Sequence, residues 1–327
     1  MKVEALDRFD LVGEPAWGDL LARSIAPVPF LSWPWQTLWW EAFADGRRLR
    51  ILRVLDSSGQ PVGILPLYEK VSGIWQLVGG VDISDYLDVL TVRGHGEAVW
   101  SELLQHRATE SVAWDLHCLQ AASPTVSLLP TLAPAFGLST LVQREARCPV
   151  VALPESWEAY LERLSGKDRH ELRRKLRRLE RQWPEARVRS HASPEGLEAA
   201  MTTFLALHRK SKAGKARFMD ARMEGFFRKV ASALAGQGWL RLWFLEREGV
   251  AVASYFCLEF AGSVALYNSG FDPAHASLSP GIVLLAHLIR DAVERGFARF
   301  DFLRGEEPYK YAFGAVSEEL FNIVVAR

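Results

Sequence analysis

The sequence predicts an α/β protein in which one unit occurs twice, and two observations carry that prediction. From Val250 to Gly314 the chain reads strand, strand, Ser-Pro-Gly, helix, strand, and then GEEPYKYAFG. A strand, a crossover helix and a second strand that can pair only in parallel make a βαβ unit. The first half repeats this order of elements. From its turn glycine to the strand after its helix is 53 residues (Gly59 to Val112), against 50 (Gly249 to Arg299) in the second half. One large mixed sheet holds the same elements, and spacing without residue identity leaves that arrangement open.

Taken in order, Leu49–Leu55 and Val62–Tyr68 read as strands around the turn DSSGQP, and Tyr86–Val92 reads as a further strand. All three are rich in β-branched, aliphatic and aromatic residues between turn formers. A helix from about Gly96 to His106 and the strand Val112–Cys118 complete the first unit, residues 1–150, which joins the second, 151–327, near Cys148–Pro154. A helical insertion, residues 157–236, opens the second unit. Trp157–Trp183 keeps Leu161, Leu164, Leu172, Leu176, Leu179 and Trp183 on one apolar stripe and is expected to be one helix. Helices at about Pro194–Lys212 and Met219–Gly236 follow, linked by KSKAGKARF, a small basic stretch that suits a substrate lid or a plain surface connection.

Trp239–Leu245, Val250–Glu259 and Val264–Phe271 then form strands around the turns EREG and Ala261-Gly262. The next helix has Ser279 as candidate N-cap, Pro280 as its first residue and Arg295-Gly296 at its end. Arg299–Leu303 returns as a buried strand. The amino end of the Pro280 helix therefore aims its unpaired N–H groups past the strand ends, as an anion cradle.

At 327 residues the chain has room for about two cores. Apolar residues at 49% and charged residues at 24% exclude disordered and fibrous classes. Lys+Arg and Asp+Glu balance at 39 each, so no global field seeks a polyanion. Locally, the helix at 167–181 carries Lys167, Arg169, Arg173, Arg174, Lys175, Arg177, Arg178 and Arg181 against Asp168, Glu171 and Glu180. That face is either solvated or in contact with an anionic partner, and its lack of interleaved aromatics argues against single-stranded nucleic acid. Cys118, Cys148 and Cys257 are too few and too far apart for a disulfide framework or a zinc site, and no metal is expected. MKVEALDRFDLVGEPAW has no apolar core of a signal sequence, and no window holds 18 uninterrupted apolar residues. The expectation is a cytoplasmic protein without a membrane span. H-E-x-x-H, G-x-S-x-G, Walker A and dinucleotide fingerprints are all absent.

Several polar residues stand out on their own. Asp301 lies between Phe300 and Phe302 in an apolar strand and needs a partner, for which Arg304 and Lys310 are at hand; it reads as an anchor before a base. Glu306 and Glu307 follow in a glycine-led loop, placed to meet an incoming amine as catalytic candidates or else simply solvated. His208 closes an apolar helix face, as a general base or a hydrogen-bonded core-edge histidine. Asp272 before Pro273 is a turn residue with the reach to meet a substrate ammonium.

The order LRLWFLEREGVAVASYFCLEF, LYNSGFDP, SPGIVLL, RFDFLRGEEPYKYAFG resembles the CelD/BioF2-like branch of the GNAT acyltransferase superfamily, which is similar to the Fem-type transferases. FLSWPWQTLWWEAFADG, the hairpin ending in ILPLY and RHELRRKLRRLER before Phe-Leu-x-Leu-His fit the same branch, so the resemblance spans nearly the whole chain. It implies tandem GNAT-like units, each a mixed twisted sheet flanked by helices, with the second active and the first shaping the acceptor cleft. The implied activity is acyl transfer from acyl-CoA to an amine of a small-molecule, sugar or amino-acid acceptor. A Fem-like transfer from aminoacyl-tRNA and a non-catalytic ligand-binding module are the alternatives.

The resemblance also implies roles for particular residues. Backbone N–H groups at Asn268, Ser269 and Gly270, where the fourth strand of such a unit bulges, would meet the oxyanion, and a strand glycine hints at a bulge or a close backbone approach. Tyr309 would protonate the leaving group. Tyr309-Lys310 resembles the Fem Phe-Lys pair, which would put the Lys310 amine in the substrate channel. One departure is plain: instead of a glycine-rich phosphate loop the chain has HASLSPGIV, with one glycine and a proline that removes a donor. Ser279, Pro280 and the N–H groups of Gly281 and Ile282 remain to hold an anion.

Overall fold

A computed structural model describes residues 1–110 and 112–327. The chain divides into two compact units, Met1–Arg147 with Glu318–Arg327, and Cys148–Ser317.

The first unit runs β1 (Lys2–Leu6), α1 (Glu14–Ala22), α2 (Trp33–Phe43), β2 (Leu49–Leu55), β3 (Pro61–Val71), β4 (Ile74–Leu77), β5 (Leu90–Thr91), α3 (Gly96–Ala108), β6 (Ala113–Gln120), α4 (Pro124–Leu132) and most of β7 (Ser139–Ala152). Strands β1 to β4 form an antiparallel ladder, and β4 pairs in parallel with β6, Ile74 opposite Ala113, across the helix α3. In the DSSGQP turn, Asp56 Oδ1 accepts from the Ser58 and Gln60 N–H groups while Gly59 takes the positive φ of 83°. Ser32 caps α2 by accepting from Trp35 N–H.

The expected strand at Tyr86–Val92 is a correction. The strand that feeds the crossover is β4, and within 86–92 only Leu90 and Thr91 are laddered, to β3. Tyr86, Leu87, Val89 and Leu90 are all buried. Their apolar character records burial in a long loop, with Gly79 and Gly80 at positive φ leading into it.

The second unit contains α5 (Trp157–Arg163), α6 (Gly166–Gln182), β8 (Arg187–His191), α7 (Leu197–Ser211), α8 (Ala213–Phe218), α9 (Ala221–Gly236), β9 (Leu240–Arg247), β10 (Val250–Phe260), β11 (Ser263–Phe271), α10 (Pro280–Glu294), β12 (Arg299–Asp301), α11 (Pro308–Ala312) and the start of β13 (Val316–Ala326). Its ladder repeats that of the first unit. Strands β8 to β11 are antiparallel, and β11 pairs in parallel with β12, Ser263 opposite Arg299, across α10. Each unit is therefore a mixed sheet flanked by helices, with the same strand order.

Each sheet gains one more antiparallel strand from a long connecting element. Residues Val150–Ala152 of β7 pair with β12, and residues Leu320–Val325 of β13 pair with β6. The last ten residues, Glu318–Arg327, thus belong to the first unit.

The helical insertion also differs from the expectation. Trp157–Trp183 is two helices, because Leu164 is extended at ψ 148° and Ser165 starts a new helix by accepting from Asp168 N–H at 3.1 Å. KSKAGKARF is mostly helix α8, and β8 adds an edge strand. The crossover helix α10 is locked in place, with Leu284, Leu285 and Ile289 wholly buried. Each such side chain contributes about 1.5–3 kcal/mol, so the amino end of α10 is a fixed feature.

Candidate functional site

The β11–β12 ladder ends early. Only Ser263–Ala265 and Arg299–Asp301 are paired, although β11 continues to Phe271. Beyond that point a cavity of about 330 Å³ opens. Ser269 and Phe271 of β11, Tyr255 of β10, the stretch Ser279–Ile282, Lys212 and Lys215 beside α8, and Glu307 and Tyr309 at α11 supply its walls.

The amino end of α10 is built by one strained residue. Ser279 sits in the left-handed region at φ 52° and ψ 51°, at a cost of about 1–2 kcal/mol, and turns the chain from a short 3₁₀ helix at Pro273–Leu278 straight into α10. Val283 N–H already bonds to Ser279 C=O, and Pro280 has no N–H. Gly281 and Ile282 therefore hold the N–H groups without an intrahelical acceptor, at the positive end of the helix dipole. Tyr255, buried beneath them, donates to Gly281 C=O at 3.1 Å and fixes the first turn.

Positive charge faces this helix end. Lys215 Nζ donates to the Ser269 carbonyl and, at 3.0 Å, to Ser269 Oγ. Burial, with the nearby Lys212 ammonium, lowers its pKa to about 8, against a smaller opposing pull from Glu307. Glu307 has a different fate: burial pushes its pKa up, but the Lys310 ammonium at 2.9 Å prevails and holds the carboxylate ionised. Burial raises the Tyr309 phenol above its ordinary range, so it stays protonated and able to donate.

Ser269, Ser279, Pro280, Gly281, Ile282 and Tyr309 of the sequence-predicted residues meet at this cavity. Lys310 does not line it. The residue is 3% exposed, and its amine donates to the carbonyls of Phe302, Leu303, Arg304 and Gly305 at 3.2, 3.5, 2.9 and 3.0 Å. The turn so clamped contains Leu303 at φ 55° and Gly305 at φ 111°, and it places Glu307 and Tyr309 in the cavity wall. Arg304 meets Lys310 through its backbone carbonyl. Asp301 is buried, pairs with Arg299 at 3.2 Å and accepts from Leu303 N–H at 2.8 Å, so it anchors the same turn. Glu306 lies outside the wall, within 3.4 Å of the Tyr311 hydroxyl.

Asn268 and Gly270 support the wall from behind. The bulge in β11 falls at Tyr267, between the pairs Phe256–Asn268 and Cys257–Leu266. Asn268 Oδ1 accepts from His208 Nε2 at 2.9 Å and from Ser269 N–H at 3.2 Å. A Cβ on Gly270 would lie 2.3 Å from His208 N, so the glycine is there to let α7 touch β11. His208 is 1% exposed, and burial with the Lys215 charge depresses its pKa to about 4. Asp272 caps the 3₁₀ helix by accepting from Ala274 N–H and pairs with Lys210 at 2.7 Å. Sequence reasoning missed Lys212, Lys215 and Tyr255. The signal for the lysines was their i, i+3 spacing within KSKAGKARF, visible only once that stretch is taken as a helical turn.

The first unit is closed at the corresponding place. There Leu87 N–H bonds to Cys118 C=O at 3.0 Å, and Asp88 accepts from Thr125 Oγ1 at 2.6 Å and from Ser123 Oγ. The cavity at the amino end of α3 is about 10 Å³, too small for a ligand.

Residues 166–311 match the family model for an acetyltransferase (GNAT) domain, a span that includes every cavity-lining residue of the second unit. No curated protein matches the chain by sequence. Solved structures with this fold include FemX, at 12% identity and a TM-score of 0.67 over 98% of this chain and 96% of that one. A conserved protein of unknown function from Bacteroides thetaiotaomicron has 12% identity and a TM-score of 0.64 over the whole of both chains. The C-terminal domain of a putative lysylphosphatidylglycerol synthetase from Agrobacterium fabrum has 10% identity and a TM-score of 0.60 over 96% of this chain and 91% of that one. Residues 166–311 are thus a GNAT acetyltransferase domain by the family model, and the chain as a whole shares its fold with FemX.

Proposed function

We propose that this protein moves an acyl group from acyl-CoA to an amine of a small-molecule acceptor, such as a sugar or an amino acid, at the cavity of the second unit. The observation that carries this reading is the convergence of an anion-seeking helix end, a lysine pair and a protonated phenol on one gap beside β11. Gly281 and Ile282 N–H groups with Lys212 suit a phosphate-bearing donor, in place of a glycine-rich loop. A neutral acceptor amine then attacks the thioester carbonyl, β11 backbone near the bulge meets the oxyanion, the C–S bond breaks, and Tyr309 gives its proton to the leaving thiolate and recovers one from the adduct's ammonium, leaving a neutral amide.

Acetyl-CoA is expected to raise the melting temperature where acetate and adenosine do not, since a ligand of the folded state alone stabilises it. No stabilisation by any acyl-CoA would refute the donor.

One observation favours a second reading, an aminoacyl-tRNA donor. On α6, Arg173, Arg177 and Arg181 are exposed at one-turn spacing, and such a stripe suits a phosphodiester backbone. Binding that requires charged tRNA and falls steeply with salt would select it. Among the described residues no helix is long and apolar enough to cross a membrane. A cytoplasmic location is part of this proposal, and cell fractionation tests it.

A further inference from the structure

Lys215 lines the cavity, and its nucleophilic nitrogen is tethered to the wall. Its Nζ is held by both the carbonyl and the hydroxyl of Ser269. Lys212 lines the same cavity but is exposed. Ser269 lies two residues past the bulge at Tyr267, on the strand whose backbone meets the acyl carbonyl in the reading above, so the tethered amine stands on the acyl side of the cavity. We infer that Lys215 is itself an acyl acceptor, and that its acylation by the protein's own bound donor closes the site.

This inference rests on the acyl-CoA reading above. The Nζ lone pair attacks the thioester carbonyl carbon, the N–C bond forms, the C–S bond breaks, and the amine proton leaves with the CoA thiol by way of Tyr309. The lowered pKa of about 8 supplies the free amine. At pH 7.5 roughly a quarter of such lysines are neutral, against about a thousandth of ordinary ones. The product is an amide, which resists onward transfer, so the modification is a dead end and not a relay. It removes an ammonium from the cavity wall, weakens the bonds to Ser269 and places the acyl group inside the cavity. The consequence is a site that shuts itself when donor is abundant and acceptor scarce.

The test incubates the full chain with acetyl-CoA at pH 7.5 without acceptor and maps modified lysines by peptide mass spectrometry. The expected result is an increment of about 42 Da, the loss of one lysine charge, at Lys215 well ahead of Lys212 and of surface lysines such as Lys2 and Lys70. Its rate should not change with protein concentration, because donor and acceptor sit in one molecule. Lys215→Arg, which keeps the charge, should abolish that increment. Stabilisation by acetyl-CoA with Lys215 unmodified, or modified no faster than Lys2, overturns the inference and leaves the donor reading intact. No stabilisation at all removes the donor reading and this inference together.

Discussion

Replacing Lys310 with methionine separates a structural cation from a chemical one. The substitution keeps the length of the side chain and deletes a buried ammonium that serves four carbonyls and Glu307. Removing one partner of a buried charged cluster typically costs about 3–5 kcal/mol, because the groups left behind stay desolvated. The four carbonyls, taken singly at about 1–3 kcal/mol each, would sum to more; they relax together, so the lower figure is the expectation. For a unit the size of Cys148–Ser317, about 2–4 °C per kcal/mol translates this into a fall of roughly 10 °C in melting temperature. Scanning calorimetry measures it. Glu307→Gln is the control: that carboxylate is 56% exposed in its pair with Lys310 and should shift stability by under about 1 kcal/mol. If Lys310→Met melts within about 2 °C of the parent but loses transfer, the clamp is wrong and the amine acts in the chemistry.

Further outcomes follow from the same geometry. Gly270→Ala should destabilise by about 3 kcal/mol in urea unfolding, since its new methyl meets the backbone of α7 at 2.3 Å. Tyr309→Phe should lower the transfer rate by about a hundredfold with a stability change under about 1 kcal/mol; an unchanged rate removes Tyr309 as the proton donor. His208 has a depressed pKa of about 4, so its contribution is present above the ordinary value near 6.5 and is lost as pH falls toward 4. A ring that titrates near 6.5 by NMR would contradict its burial. In the first unit His117 lies between Asp115 and Glu145, each at 2.9 Å. Burial opposes its charge, but the two carboxylates prevail and raise its pKa to about 9. Its stabilisation has the opposite sign: full below 6.5, lost as pH rises through 9, and worth about 1–2 kcal/mol after solvent screening. His117→Gln should flatten the melting temperature between pH 6.5 and 9.

The sequence displayed what repeats and what caps. Pro280 after Ser279, the hairpin turns and the apolar run through α10 are local signals, so the βαβ unit was legible residue by residue. The break at Ser165 was also written in the chain, as a serine three residues before an aspartate, but the continuous leucine stripe outweighed it. Tyr86–Val92 misled because burial selects the same residues whether a segment is laddered or packed. β8 and the two long connecting strands depend on partners far away in sequence, which no local pattern reports.

For the site, the helix end was legible because it follows from element order, and the resemblance pointed to Tyr309, which lines the cavity. Lys310 and Lys215 exchanged places. The resemblance put the Lys310 amine in the substrate channel, yet the positive φ of Leu303 and Gly305 folds four carbonyls around it. Lys215 in a small basic stretch reads as solvated, yet α8 lays it against Ser269. Which lysine faces the gap is a long-range fact.

The most direct measurement follows the backbone amides of Gly281 and Ile282 by NMR while CoA is titrated in. Downfield shifts at these two amides, together with Ser269, are the expected result, since their N–H groups would take up the donor's phosphate. CoA that leaves all three unmoved at saturation, or that shifts residues of the first unit instead, contradicts the placement of the donor.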